Sequence, residues 1–278
     1  MIIKSYAKIN LALKVNSKSN NGLHEIQSFY CLIDLFDIIQ IIKIKGKKDK
    51  IRFKGPFAKL IKKKNNTIYR LLEKLRNLQI ISCYYSVTVT KNIPVFGGLG
   101  GGTSNAAFLL KSLLKNKVNS NLLFELKNQI GSDLILFFRE QGFLKNLKTV
   151  IKFKKKQKFF FLLIYPKIAS STKEIYSKVK KFSNKQHFNM NLSKSKSKFL
   201  NYLCKNRNDL QFIVEKKYPF IKKLLLDIKS QKGCHFSRMS GSGSVCYGLF
   251  RDQILAKKAL NKLKKNYPKF WFSLAKTV

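Results

Sequence analysis

A glycine-rich segment between a predicted strand and a predicted helix restricts the fold of this chain more than any other feature. Ser86-Val-Thr-Val-Thr90 alternates in the manner of a strand, and apolar residues at helical spacing begin at Ala106. Between them, after Pro94, five glycines occupy six positions: Gly97, Gly98, Gly100, Gly101 and Gly102. Glycine lets a backbone curl so that its N–H groups point at an anion, and the helix adds a positive N-terminal end. The segment therefore predicts a polyphosphate site, with a flexible linker as the alternative.

Two common phosphate-binding motifs do not match this loop. A Walker A loop requires a lysine after its glycines, and none follows here. The dinucleotide motif GxGxxG, started at Gly98, requires a glycine where Thr103 lies. Thr103 and Ser104 can instead cap the helix and offer hydroxyl groups to a phosphate or a metal ion. This is a different kind of phosphate loop.

A second glycine-containing segment, Met239-Ser-Gly-Ser-Gly-Ser244, leads into a predicted strand. Taken alone, it is typical of a hairpin turn. Next to a phosphate loop, it becomes a candidate for a second backbone wall around the transferred phosphate or the acceptor.

Four polar residues are candidates for chemistry, each with a plainer alternative. Lys8 and Asn10 share one face of the first predicted strand, where a lysine is usually exposed to solvent. His24 follows a predicted turn and can be an ordinary surface residue. Asp133 precedes an apolar run and can serve as a cap. Because acidic residues are scarce, an aspartate against an apolar run also suggests a general base.

The charge of the chain is its most unusual bulk property. Lys and Arg number 57 and Asp and Glu 13, which gives +44, and seven of the basic residues are Arg. So large an excess suggests nucleic acid or an anionic membrane surface as a partner. Arg, however, is the residue that base readout prefers, and the abundant Lys, Asn, Ile and Phe have codons rich in A and T. We therefore prefer a drift of genome composition as the cause and expect no nucleic-acid partner.

Other bulk features favour a globular protein of the cytoplasm. Hydrophobic residues make up 45% of the chain and charged residues 25%, which argues against wholesale disorder. The five cysteines form no CxxC pair, and a chain of 278 residues does not need disulfides, so reduced thiols are expected. The N-terminus shows no targeting signal, and apolar stretches such as Phe159–Tyr165 are too short to span a membrane.

The order of strands and helices favours the α+β class with two domains. Helices are predicted near 66–78, 120–130, 208–230 and 253–266. Strands are predicted at 28–44, 159–165 and 245–250. A turn is predicted at Asn20-Asn21-Gly22, and the polar repeats of 183–198 predict an exposed connection. The lysines of 152–158 mark the expected junction between domains at 1–155 and 156–278.

Four segments together resemble the GHMP kinases in order and spacing. They are Ala7-Lys-Ile-Asn-Leu11, the glycine loop and helix start at 94–107, Gly131-Ser-Asp133 and Met239-Ser-Gly-Ser-Gly243. Counterparts of members that act on a cytidine diphosphate compound are seen at Gly22-Leu-His24, Leu35-x-Asp37, Ser171-Thr-Lys-Glu-Ile-Tyr176 and Asn208-Asp-Leu210. The resemblance covers nearly the whole chain. It implies a two-domain α+β kinase fold with the active site in the cleft between the domains.

The activity that the resemblance implies is phosphoryl transfer from ATP, with Mg²⁺, to an alcohol. The acceptor would be the 2-hydroxyl of a methylerythritol linked to cytidine diphosphate, in the non-mevalonate route to isoprenoid precursors. Asp133 would take the proton from this hydroxyl, and Lys8 would hold Asp133 ionised and stabilise the phosphoryl charge. Such a reaction needs mainly positioning and charge stabilisation.

The resemblance also implies a set of ATP-binding residues. They are Asn66, Lys91, Pro94, Gly97, Gly98, Leu99, Gly100, Gly101, Gly102, Thr103 and Ser104. Residues 97–104 would hold the phosphates, and Asn66 with Lys91 would hold the adenine. Ser104 would in addition contact Mg²⁺.

The acceptor site that the resemblance implies departs from the family at one position. Asn10 would orient the acceptor, His24 would hydrogen-bond the cytosine, and Tyr176 would stack on it. The segment that includes Gly241 and Ser242 would close the cleft. Leu23 stands where the family usually has a tyrosine that stacks on the other face of the cytosine. Losing that aromatic contact costs about 0.5–1.5 kcal/mol.

Three alternative functions remain open. A GHMP kinase for another small alcohol, such as homoserine, is disfavoured because His24 and Tyr176 would recognise a group of nucleotide size. A nucleic-acid-binding protein on a related α/β scaffold would explain the charge, but it gives no role to Asp133 or the glycine loops. An inactive kinase is disfavoured because every proposed catalytic position is filled. The sequence does not determine an oligomeric state.

Overall fold

The computed structural model describes residues 1–19, 22–61, 66–153 and 155–278. The predicted turn therefore lies outside the described residues at Asn20 and Asn21, as does Lys154 of the expected junction. The described chain opens with two long strands, β1 (Ile2–Lys18) and β2 (His24–Ile44), which pair with each other. Both strands are buried on both faces over their middle parts, Ala7–Leu13 and Ile26–Ile33, so they form the interior of the sheet there.

Contacts divide the chain into two compact units that are discontinuous in sequence. The first comprises Met1–Lys8, Leu35–Val95 and Gly100–Arg139. The second comprises Ile9–Asp34, Phe96–Leu99 and Glu140–Val278. Each long strand contributes residues to both units. No single position in the sequence therefore divides the chain into the two units. The expected domains 1–155 and 156–278 stay a prediction, as does the cleft between them.

The first unit combines sheet strands with three helices. They are β3 (Lys50–Lys54), β4 (Tyr84–Thr90), α1 (Thr67–Asn77), α2 (Gly101–Leu113) and α3 (Ser120–Ile130). The strand β4 pairs antiparallel with Ile38–Ile44 of β2 and parallel with β3. Short 3-10 helices lie at Ala58–Leu60 and Ser132–Phe138. The helix α1 buries Ile68, Leu71, Leu72 and Leu75, the spacing from which it was predicted.

The second unit contains the remaining strands and helices. Its strands are β5 (Gln141–Asn146), β6 (Thr149–Lys152), β7 (Phe160–Tyr165), β8 (Cys234–Met239), β9 (Cys246–Phe250) and β10 (Trp271–Lys276). Its helices are α4 (Thr172–Ser177), α5 (Lys196–Cys204), α6 (Gln211–Lys217), α7 (Phe220–Lys229) and α8 (Gln253–Asn266), with a 3-10 helix at Met190–Lys194. An antiparallel sheet has the order β10-β7-β9-β8, and β5 pairs with Ser28–Cys31 of β2.

Thr277 and Val278 are hydrogen-bonded within the second unit. The N–H of Thr277 donates to Phe159 O at 3.2 Å, and the N–H of Val278 donates to Leu32 O at 3.3 Å.

Phe29 and Phe143 stack with their centroids 4.6 Å apart in the aromatic core of the second unit.

The exposed connection predicted at 183–198 is corrected by the structure in its last part. The helix α5 begins at Lys196, and Ser195 caps it by accepting a hydrogen bond from the N–H of Lys198. Phe199, Leu200 and Leu203 bury the apolar face of the helix. The polar Ser-Lys repeat thus ends in a helix cap, because serine is as good an N-cap as it is a loop residue. In the described part of the chain, no helix is long and apolar enough to cross a bilayer.

Candidate active site

The glycine loop ends at the start of α2, and Gly100 is the N-cap of that helix. Its φ of +70° is left-handed, a conformation that side chains rarely adopt. A Cβ at Gly100 would lie 2.9 Å from Cζ of Phe137 and 3.3 Å from Cε of Lys8. Both the backbone and the available space therefore require glycine. The first turn of an α-helix presents N–H groups without intrahelical acceptors, so this helix start favours an anion.

An ion pair between Lys8 and Asp133 lies beside this helix start. Nζ of Lys8 is 3.2 Å from Oδ2 of Asp133, and their side chains are 4% and 29% exposed. Asp133 is in the 3-10 helix that follows Gly131, and a Cβ on Gly131 would lie 3.1 Å from Oγ1 of Thr103. The first unit thus brings together a buried ammonium group, an accessible carboxylate and the start of α2. These are the groups that a proton acceptor and a phosphate site need.

The helix α1 supports the same helix start. Oγ1 of Thr67, its first residue, donates to the carbonyl of Gly102 at 2.8 Å. Asn66 caps α1, because its Oδ1 accepts from the N–H groups of Ile68 at 3.1 Å and Tyr69 at 3.0 Å. The predicted contact of Asn66 with adenine stays a prediction. Sequence analysis missed Thr67, although a threonine following an Asn cap is a visible signal.

A buried polar cluster ties the start of α2 to the sheet. We call it the Asp37 cluster, and its members are Ser5, Asp37, Lys91, Ser104 and Asn105. Oδ2 of Asp37 accepts from Nζ of Lys91 and from Nδ2 of Asn105, the latter at 2.9 Å. Oδ1 of Asp37 accepts from two consecutive backbone N–H groups, at 2.7 and 2.9 Å, on the approach to the loop. One carboxylate therefore holds both ends of the glycine loop.

Lys91 belongs to this cluster through its side chain. The residue is 2% exposed, and Nζ also donates to Oδ1 of Asn105 at 2.9 Å. Burial lowers the pKa of Lys91, and the Asp37 carboxylate opposes that effect. The predicted contact of Lys91 with adenine stays a prediction, and the side chain as placed serves the support of the loop.

Ser104 is engaged in the same cluster. It is fully buried, and its Oγ donates to the carbonyl of Tyr6 at 2.6 Å. Because that bond uses its proton, the 2.7 Å contact with Ser5 Oγ is one in which Ser5 donates. Both contacts fix the first turn of α2 against β1.

In the second unit, the other half of the glycine loop lies against the turn between β8 and β9. Gly98 has a φ of +75°, and a Cβ there would lie 2.0 Å from the carbonyl oxygen of Ser240. Oγ of Ser240 donates to Gly98 O at 3.0 Å, and the N–H of Val245 donates to Gly97 O at 3.1 Å. The second glycine segment is thus a hairpin turn and also packs on residues 96–98. Leu99 and Pro94 are buried and can serve a ligand only through their backbone.

Side chains from neighbouring segments hold this turn. Nδ2 of Asn208 donates to the carbonyls of Met239 at 2.9 Å and Gly241 at 2.7 Å. The hydroxyls of Ser242 and Thr172 are 2.9 Å apart. In the sequence, Asn208 and Thr172 stand out only as parts of two family counterparts, with no role for either.

Asn10 is buried in the second unit, with 1% of its surface exposed. Its Nδ2 donates to Oγ of Ser28 at 2.8 Å, and its N–H donates to Oγ of Ser240 at 3.3 Å. The position of its side chain is therefore set by β2 and that of its backbone by the β8–β9 turn.

His24 has two aromatic neighbours, and we call these three residues the aromatic trio. The ring centroids of His24 and Tyr176 are 5.1 Å apart, and those of His24 and Phe182 are 6.3 Å apart. Burial and, secondarily, the positive charge of Lys18 lower the pKa of His24, which favours the neutral imidazole. A neutral imidazole offers one donor and one acceptor. The structure brings His24 and Tyr176 together, their predicted contacts with cytosine stay a prediction, and Phe182 was missed.

Models of two kinase domains match the chain. The model of the GHMP kinases N terminal domain matches residues 66–138, and that of the GHMP kinases C terminal matches residues 193–269. Between them they span more than half of the chain. The chain belongs to the GHMP kinases.

Individual relatives align with this GHMP kinase along nearly its whole length. The 4-diphosphocytidyl-2-C-methyl-D-erythritol kinase of Pelagibacter ubique (strain HTCC1062) is 40% identical, over 99% of this chain and 98% of its own. The enzyme of the same name from Wolbachia pipientis wMel is 33% identical, over 97% and 96%. The family resemblance found in the sequence is confirmed.

Solved structures confirm the α+β fold expected of a GHMP kinase. A 4-(cytidine 5'-diphospho)-2C-methyl-D-erythritol kinase has a TM-score of 0.75 at 22% identity and covers 99% of both chains. Homoserine kinase from Cytophaga hutchinsonii has a TM-score of 0.64 at 18% identity, over 100% of this chain and 94% of its own. At such identities the likeness establishes the fold alone.

Among the residues that the structure describes, no group of three or more His, Cys, Asp or Glu side chains could hold a metal. The hydroxyl of Ser104 is buried and already makes two hydrogen bonds, so contact with an ion would require it to give up one of them. Mg²⁺ commonly binds through substrate phosphates and one or two carboxylates, and such a mode needs no cage. The metal role of Ser104 stays a prediction.

Proposed function

We propose that this GHMP kinase transfers the γ-phosphoryl group of ATP to the 2-hydroxyl of 4-diphosphocytidyl-2-C-methyl-D-erythritol, in the non-mevalonate route to isoprenoid precursors. Relatives of that name at 31–40% identity over 97–99% of the chain support the substrate. The observation that supports phosphoryl transfer is the Lys8–Asp133 ion pair beside the start of α2.

The residues of the first unit perform the transfer in this proposal. The acceptor oxygen attacks the γ-phosphorus, its proton passes to the carboxylate of Asp133, and ADP leaves with the electrons of the broken P–O bond. The ammonium of Lys8 stabilises the charge on the phosphoryl oxygens. The N–H groups at the start of α2 do the same for the nucleotide phosphates. Such positioning and charge stabilisation supply most of the catalysis in phosphoryl transfer.

The residues of the second unit recognise the acceptor. His24 hydrogen-bonds the cytosine and Tyr176 stacks on it, which their proximity supports. Asn10 orients the acceptor, and the turn with Gly241 and Ser242 contributes backbone groups. Mg²⁺ would be bound mainly through the phosphates of ATP and would supply charge neutralisation there. A cytoplasmic location is supported by the five cysteines, all of which are free thiols.

The test is a product assay with the purified protein. Mg·ATP and 4-diphosphocytidyl-2-C-methyl-D-erythritol are incubated with it, and mass spectrometry follows the addition of one phosphate to the alcohol. Homoserine and mevalonate are run in parallel, and EDTA is added to a duplicate. Product with the cytidyl compound alone, lost with EDTA, supports the proposal. Product with homoserine or mevalonate instead contradicts the substrate, and no product with any alcohol contradicts the activity.

A further inference from the structure

Phe182 is an aromatic residue that the chemistry of phosphoryl transfer does not use. It is 46% exposed, and its ring centroid is 6.3 Å from that of His24 with the planes at 42°. An exposed phenylalanine alone needs no explanation. One that lies against a half-buried histidine with a second aromatic ring, Tyr176, forms part of an apolar surface around a hydrogen-bonding group. Such a combination is typical of sites for planar heterocycles.

The backbone next to Phe182 is anchored. The N–H of Ser183 donates to the carbonyl of Val15 at 2.8 Å, and Nδ2 of Asn16 donates to the carbonyl of Ser183 at 2.9 Å. These two bonds fix the segment to β1, although it has no regular secondary structure of its own. The position of the phenyl ring beside His24 is thus built into the fold.

Tyr176 is also held firmly. It lies on α4, which Ser171 caps through the N–H of Glu174. The carboxylate of Glu174 then binds Lys178 on the same helix, at 2.9 Å, and Lys217 on α6, at 2.5 Å. Two rings carried by anchored backbone therefore accompany one imidazole, and an ordered backbone lowers the entropy lost when a ligand stacks on them.

The residue before His24 contributes no ring. Leu23 is 43% exposed and aliphatic, so it offers apolar area without an aromatic face. Phe182 is separated from it by nearly 160 positions in the sequence, and only the fold brings its ring to His24.

We propose that Phe182 determines specificity in this kinase by stacking on the pyrimidine ring of the acceptor, together with Tyr176, while His24 hydrogen-bonds the edge of that ring. The inference rests on the proposed function and deepens it. The neutral imidazole matches a cytosine edge, which carries both a donor amine and acceptor atoms. Phe182 does not touch the reacting groups, so it affects acceptor binding and not the transfer.

The test measures steady-state kinetics of Phe182→Ala with each substrate varied in turn. Base stacking on one aromatic ring raises affinity by roughly five- to a hundredfold, and we expect KM for the cytidyl substrate to rise by about tenfold. The KM for ATP and kcat should remain within about twofold. The melting temperature should not change. Phe182→Tyr and Phe182→Trp should restore KM, whereas Phe182→Leu, which keeps apolar volume without a ring, should not.

Phe212→Ala is the matched control, since Phe212 is 72% exposed and lies on α6. It should leave both KM values, kcat and the melting temperature unchanged. Isothermal titration of the wild-type protein with cytidine diphosphate distinguishes a failure of the role of Phe182 from a failure of the proposed function. If wild type turns over and binds the cytidyl compound but Phe182→Ala keeps its KM, the role of Phe182 is refuted and the proposed function stands. If wild type shows neither, the proposed function fails and this inference fails with it. A variant that loses kcat and melting temperature together identifies Phe182 as merely structural and overturns the proposal.

Discussion

The Asp37 cluster and the aromatic trio are built on opposite principles. The first is closed to water, and its carboxylate, ammonium, amide and hydroxyl groups bond to one another or to the backbone. The second is half-exposed, and its rings offer faces and edges that the protein itself leaves accessible. In the proposed function, the cluster supports the loop that binds the phosphates of ATP, and this donor is the same whatever the acceptor. In the same proposal, the trio distinguishes one acceptor from another.

This difference indicates where the molecule tolerates change. Removing one member of a closed polar network leaves a buried group without its partner, which is costly. Removing one ring from an open site costs only the contact with the ligand. Mutations near the phosphate loop should therefore affect catalysis or folding strongly, and those in the trio should have smaller and more selective effects.

The largest effect is expected for Asp133→Asn, which keeps the size of the side chain but removes its basicity. A positioned general base contributes about 10²- to 10⁴-fold, so kcat should fall by that factor while the melting temperature holds. Asp252→Asn is the control, because Asp252 caps α8 through the N–H of Leu255 and serves no chemistry. Equal activity of the two variants would mean that Asp133 serves only as the ion-pair partner of Lys8. Rapid-quench measurement of product distinguishes these outcomes.

The next largest effect is expected on stability, for Lys91→Met. The substitution leaves the carboxylate of Asp37 buried without its ammonium partner, which costs about 3–5 kcal/mol in the free energy of unfolding. The double variant Asp37→Asn/Lys91→Met removes both charges and should recover part of the loss. Lys47→Met, at an exposed position, should stay within about 0.5 kcal/mol of wild type. Urea denaturation measures the free energy of unfolding of all three variants. If Lys91→Met is as stable as Lys47→Met, the cluster is not closed as described.

A smaller loss of stability is expected where a new side chain meets too little space next to the backbone. Gly98→Ala places a Cβ 2.0 Å from a carbonyl oxygen at a left-handed φ, which should cost about 1–3 kcal/mol through overpacking and strain. Gly46→Ala is the counterpart, because a Cβ there meets nothing closer than 4.0 Å. Thermal unfolding should separate the two variants clearly. Similar melting temperatures would contradict the close approach of residues 96–98 to the β8–β9 turn.

The smallest effect is expected in the aromatic trio and depends on pH. The pKa of His24 is lowered in the folded protein, so the unfolded chain takes up the proton at higher pH than the folded one. The contribution of His24 to stability is therefore complete above its ordinary pKa of 6.5 and is lost as pH falls through the folded pKa. His24→Gln should flatten the decline of stability between pH 7.5 and 5.5. The rest of the decline should remain, because burial lowers the pKa of His235 as well. An unchanged slope in His24→Gln would place the titration elsewhere.

Sequence reasoning succeeded where the signal is local. The helix α8 was predicted at its observed bounds, and the glycine loop was recognised from adjacent residues. The strand β10 was missed, because its pairing with β7 depends on residues more than a hundred positions away. The ion pair of Lys91 with Asp37 was missed for the same reason, because nothing near Lys91 in sequence reveals its partner. The pairing of His24 with Tyr176 came from family resemblance, and Phe182, which has no counterpart in that resemblance, was overlooked.

The way residues 271–278 join the second unit also affects how this protein is made. The edge strand β10 and the bonds from Thr277 to Phe159 and from Val278 to Leu32 complete a structure whose first strands were synthesised more than two hundred residues earlier. Chains grow at about 5–20 residues per second, and contacts of such long range form slowly. While the ribosome is still translating, the nascent chain therefore carries apolar strands, rich in phenylalanine, without their partner. Its yield in a cell should depend on chaperones that protect those strands until β10 has been synthesised.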